Sequence, residues 1–117
     1  MERVRIGNDI VINVSVMNGE VGADLTGYTA SWFLNTPFGK KAITPTASTP
    51  NIGAYTFTYL GKDQTHTGDY SITLKLTTSS GGQKMIDSFI IFKLVRCSVE
   101  AGDESNNIST KNIAVTL

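Results

Sequence analysis

Residues 65–76, THTGDYSITLKL, join a polar Thr-Gly-Asp turn to a strand-like alternation in which Tyr70, Ile72, Leu74 and Leu76 share one face. The turn carries His66 and Asp69, with Asp63 just upstream. It therefore reads either as a reactive loop or as a structural corner that delivers a tyrosine into a core. Reactive chemistry needs groups of tunable proton affinity brought together, and the chain holds one histidine, His66, and one cysteine, Cys97, in different predicted elements. A solvated loop histidine and an inert half-buried thiol account for both. Asp63 and Asp69 lack the dense alternation of oxygen ligands of a calcium loop, and aspartates in turns ordinarily serve nearby backbone donors. Ser79-Ser80-Gly81-Gly82 has no following Lys-Ser/Thr or helix to make a phosphate cradle, so it reads as a hairpin turn. Gly102-Asp103-Glu104 reads as a solvated linker. No catalytic, cofactor-binding or metal-ligating residue is assigned, and the chain is not expected to be an enzyme. The stretch reads as a structural corner built on Gly68 and Tyr70, with the Tyr70 ring in the core.

The remaining alternations support a β protein. Ile10, Ile12, Val14 and Val16 share a face, preceded by a short lead strand at residues 4–6 and a Gly7-Asn8-Asp9 turn. Tyr28, Ala30, Trp32 and Leu34 alternate next and stop at Pro37-Phe38-Gly39. Lys40 to Ile43 suits a short edge strand, and Pro45 and Pro50 bracket a stretch that reads as loop or edge. Tyr55, Phe57 and Tyr59 alternate with threonines, and residues 85–95 are apolar on both faces, as in a central strand covered on both sides. No window carries sustained apolar spacing at 3.6 residues. The expected fold is all-β: six to eight short strands favour a sandwich of two packed antiparallel sheets, with Trp32, Ile72 and Leu74 in its core, over a closed barrel, which spacing alone leaves open. The domain spans residues 1–96. Residues 97–117 form an extended polar tail with a possible terminal strand at 113–117, and a chain ending at Arg96 is expected to stay folded.

The 117 residues suit one core, and ten basic residues balance ten acidic ones. No overall field favours nucleic acid, and no apolar run is long enough to cross a bilayer. A single cysteine excludes an intrachain disulfide, and synthesis in a cytoplasm is expected. Core packing accounts for most of Trp32, Tyr55, Phe57, Tyr59 and Tyr70, and any of Tyr55, Phe57 and Tyr59 that is exposed is a candidate for contact with a sugar or protein partner.

Two resemblances follow from these residues. Trp32 on an early strand and a Gly-Asp-Tyr turn feeding Tyr70, Ile72 and Leu74 resemble a cysteine-free immunoglobulin-like module, with Ile72 standing where disulfide-bonded relatives place a cysteine; the resemblance implies an immunoglobulin-like antiparallel β-sandwich of about seven strands in which the Tyr70 hydroxyl bonds to a backbone acceptor near the turn. Over nearly the whole chain, RIGNDIVINVSV, DLTGYTASWFL, GKDQTHTGDYSITL and FKLVRCSVEAGDE resemble the amino-terminal modules of bacteriophage tail-fibre and baseplate upper proteins, especially those of phages of gut Bacteroidetes. That resemblance implies a virion protein that docks a fibre, baseplate or head decoration. Its partners would be other phage structural proteins and further copies of itself, with no cofactor, nucleic acid or membrane. The lead strand at residues 4–6, the 37–50 loop and the tail from Cys97 would be the docking surfaces. A free-standing carbohydrate- or protein-binding sandwich is the alternative.

Overall fold

The computed structural model describes residues 2–96 and 109–117. Cys97 and Gly102-Asp103-Glu104 lie outside the described residues. The strands are β1 (Glu2–Arg5), β2 (Ile10–Asn18), β3 (Val21–Gly22), β4 (Tyr28–Thr36), β5 (Gly39–Ile43), β6 (Ala47–Thr49), β7 (Ala54–Tyr59), β8 (Gly68–Thr78), β9 (Gln83–Asp87), β10 (Phe92–Val95) and β11 (Ser109–Thr116). Short 3-10 turns occupy Pro50–Ile52 and Gly61–Asp63. One sheet has the order β1-β10-β8-β4-β5, with β9 also on β8, and the other β11-β2-β7-β6, with β3 on β2. This is an all-β sandwich.

Period-2 patterning places its inner face. Ile10, Ile12, Val14 and Val16 of β2 are buried opposite Trp32 and Leu34 of β4 and Tyr70, Ile72, Leu74 and Leu76 of β8. Each such side chain contributes roughly 1.5–3 kcal/mol when fully buried, which ties the register of each strand to its inward row. The order β10-β8-β4-β5 follows strands G, F, C and C′ of an immunoglobulin-like sandwich, and β2-β7-β6 follows B, E and D. Two features depart from the antiparallel arrangement expected from the sequence. β1 pairs with β10 in parallel, and β11 pairs with β2 in parallel over eight residues, from Ser109 opposite Ile10 to Thr116 opposite Met17. Ser109–Thr116 is thus an edge strand of the second sheet with Val115 buried, whereas the sequence reading ended the sandwich at residue 96. A chain ending at Arg96 lacks that strand and is expected to be destabilised.

The strand total exceeds the expected seven because tertiary contacts split and add short elements. The Pro45–Pro50 stretch supplies β6, an edge strand on β7. The apolar run at residues 85–95 is not one central strand: Thr73 faces Asp87 but Tyr70 faces Phe92, so the register slips by two residues between β9 and β10. The slip puts Phe89 and Ile90 outside the sheet, 94% and 47% exposed.

Candidate functional site

The corner at residues 65–70 is held by its own backbone. Gly68 has φ 133°, and a Cβ there would lie 2.6 Å from Cγ of Pro37, so the close approach of this turn to the β4–β5 turn requires glycine. Two residues on, Tyr70 is 1% exposed, and its hydroxyl donates to the carbonyl oxygen of His66 at 2.5 Å. Its ring stacks on Phe92 with centroids 5.1 Å apart and lies 5.9 Å from that of Tyr59. Burial pushes the Tyr70 hydroxyl well above its ordinary value, with neighbouring Tyr59 adding to the shift. Burial also raises Tyr59; the neighbouring Tyr70 hydroxyl opposes that rise and the charge of Asp63 adds to it.

Around this corner a shallow cleft of about 260 Å³ is lined by Phe38, Lys41, Tyr59, Asp63, His66 and Tyr70 among others. Phe38, 76% exposed, lies against the His66 ring with centroids 3.8 Å apart. Lys41 Nζ stands 5.9 Å from the centre of the Tyr59 ring. His66 Nδ1 is 2.7 Å from the Thr65 hydroxyl, and its side chain is exposed. The imidazole is therefore engaged by a phenyl ring and a hydroxyl.

The three aromatics proposed as partner contacts do not form a surface. Tyr55 and Phe57 are buried, packing on Trp32 with centroids 4.8 and 5.0 Å apart, because β7 turns this face towards β4. Only Tyr59, at the end of the row, is half-buried and reaches the corner cleft. Burial raises Tyr55 as well. Trp32 lies in the core, its indole N–H without an acceptor among the described residues.

The most exposed aromatic is instead Phe89, which the apolar run concealed. Ser88 holds the bulge from both sides: its hydroxyl accepts from Ile72 N–H at 2.9 Å and donates to the Phe89 carbonyl at 2.9 Å. Ser88 N–H donates to the Ile72 carbonyl at 2.9 Å and Ile91 N–H to the Tyr70 carbonyl at 2.8 Å, closing the ladder on each side of the protruding pair. Phe89 and Ile90 therefore form an apolar knuckle on a fixed base. No periodicity signal could have found it, since Phe, Ile and Ile in a row read equally well as a buried strand.

The outer face of the first sheet carries a polar network. The fully buried Thr73 hydroxyl donates to Asp87 at 2.5 Å and accepts from Asn35 at 2.9 Å and Lys40 at 3.0 Å, while Asn35 also donates to Ser71. Each group has a partner, so the network cross-links β4, β5, β8 and β9. Another cleft, of about 450 Å³, lies where β1 and β10 pass the corner, lined by Arg3, Lys93 and Arg96 with Thr67 and Gly68.

Among the described residues no group of three or more His, Cys, Asp or Glu side chains is placed to hold a metal ion. No helix among them is long and apolar enough to cross a membrane. Comparison of the chain with protein families, with curated proteins and with solved structures returned no match.

Proposed function

We propose that this sandwich is a structural module of a bacteriophage virion, docking a tail fibre, baseplate component or head decoration through its surfaces. The observation that carries the docking role is the Phe89–Ile90 knuckle, an apolar pair held out by hydrogen bonds on both flanks. A rigid exposed aromatic is the kind of anchor that dominates an interface, because its area is buried at little cost in conformational freedom. The phage assignment rests on the order of RIGNDIVINVSV, DLTGYTASWFL and GKDQTHTGDYSITL along the chain. Its partners are other virion proteins.

The carbohydrate-binding alternative is less favoured, because Tyr55 and Phe57 lie in the core; its remaining support is the Phe38–His66 pair beside Tyr59. Mass spectrometry of purified particles tests the main reading. The chain should be a stoichiometric component, and Phe89→Ala should deplete it from particles while leaving its own stability within about 0.5 kcal/mol, the range for exposed positions. Its absence from particles would refute the reading, and saturable glycan binding abolished by Phe38→Ala would favour the alternative.

A further inference from the structure

Of the chain's crossings between the two sheets, two join strands that are neighbours at both ends. β1 leads to β2 through residues 6–9, and β10, parallel beside β1, leads to β11, parallel beside β2. Val95 pairs with Arg5 at one end and Ser109 with Ile10 at the other, so both crossings begin and end about one strand spacing apart, roughly 4.8 Å. Five Cα steps from Arg5 to Ile10 cover at most about 19 Å, which caps the Val95 to Ser109 span at roughly 29 Å. Residues 96–108, thirteen in number, can extend to about 43 Å. The connector is longer than a return to its own chain requires.

The short crossing is pinned. Gln64, itself buried, accepts from Gly7 N–H at 2.8 Å and donates to the Asn8 carbonyl at 2.7 Å, and Asp9 accepts from Gly61 N–H at 2.7 Å. β2 is fixed in the body, and its outer edge is a built acceptor. β11 is the last strand of its sheet and, among the described residues, is hydrogen-bonded to no strand but β2. Lifting it away disturbs no other pairing. Leaving the edge empty is costly, because the buried row Ile10, Ile12, Val14 and Val16 loses part of its cover and β2 the ladder on that edge.

We propose that β11 is an exchangeable strand, which in an assembled state leaves the β2 edge of its own chain and occupies the same edge of a second copy. The occupant is specified by the strand itself. Asn112 accepts from the Asn13 amide at 2.9 Å across the pair, and Ile113 and Val115 turn inward, whereas a one-residue slip would place Asn112 and Ala114 on the core side. A second copy remakes the same eight pairs, so the closed and exchanged forms have the same β11–β2 ladder. The balance follows concentration. A connector of this length holds its own strand at an effective concentration of order millimolar, so dilute chains are closed and copies crowded to millimolar levels exchange.

Full-length Cys97→Ser chains carrying Asn13→Cys or Asn112→Cys test this, since these two positions are register partners. The two variants are mixed, unfolded, refolded together at about 1 mM or about 1 µM, and treated with a short bismaleimide. The expected result is a crosslinked heterodimer several-fold more abundant from the concentrated mixture, with the double variant crosslinking within one chain when dilute. Intrachain crosslinking of the double variant at both concentrations, with no product between the single variants, would overturn the proposal; so would failure of the double variant to crosslink at all. The pair Ser15 and Ala114, also register partners, repeats the test with cysteines at two exposed positions. Neither result depends on the virion reading, which particle composition alone decides.

Discussion

Tyr70→Phe isolates the hydroxyl that defines the corner. The substitution keeps the buried ring, its stack on Phe92 and the volume of the site, and removes one hydrogen bond to the His66 carbonyl. A net hydrogen bond contributes about 0.5–1.5 kcal/mol, and stranding a buried acceptor raises the loss towards about 3 kcal/mol. His66 is exposed, so water can replace the lost donor at its carbonyl and the lower range applies. The expected loss is therefore about 1 kcal/mol, or about 4 °C in the midpoint of thermal unfolding for a chain of this size. Urea unfolding followed by emission of the single tryptophan, Trp32, measures it, with an unchanged slope confirming that only stability has moved. The pH dependence supplies a second reading. Burial raises the Tyr70 pKa in the folded chain, so the folded state holds its proton more tightly than the unfolded state, whose tyrosines titrate near 10. That contribution is fully present below about pH 10 and is lost as pH rises above it, so the parent should lose stability more steeply there than Tyr70→Phe. Lys111, lowered by burial, works in the opposite direction in both chains and cancels in the comparison. Equal stability of the two proteins at neutral pH, or parallel alkaline profiles, would refute the corner.

Gly68→Ala should cost about 1–3 kcal/mol, from backbone strain at φ 133° and the clash with Pro37, measured by the same urea titration. Gln64→Glu replaces the donor facing the Asn8 carbonyl with an acceptor; the loss at neutral pH, about 1–3 kcal/mol, should shrink on acidification as the new carboxyl, its pKa raised in the fold, takes up a proton. Trp32→Ala should cost about 3–5 kcal/mol in chemical unfolding followed by far-UV circular dichroism, and Trp32→Phe distinctly less, since the indole N–H it removes has no acceptor among the described residues. Truncation after residue 108 should destabilise the chain by uncovering the β2 edge, with faster amide exchange along β2 as the readout.

Much of the fold was legible because inward rows are periodic. Ile10 to Val16, Trp32 and Leu34, and Tyr70 to Leu76 alternate along strands that bury one face, and removing those side chains from water is what chiefly stabilises them. The corner was legible for a local reason: the Gly68 turn, the Tyr70 side chain and its His66 acceptor lie within five consecutive residues. Phe89 was misplaced, and the partner-contact reading of Tyr55 and Phe57 failed, for a common reason. Alternation says that a strand has two faces, but not which face meets a second sheet, and it cannot register a two-residue slip.

By itself the sequence determined the all-β class, the inward rows of the long strands and the chemistry of the Gly68–Tyr70 corner, because these depend on interactions between near neighbours and on period-2 burial. Tertiary structure alone decided the parallel seating of β11 on β2, the burial of Tyr55 and Phe57 against Trp32, and the exposure of Phe89. Each depends on contacts between residues far apart in the chain: Ser109 meets Ile10 and Tyr55 meets Trp32, while the β9–β10 slip is visible only against β8.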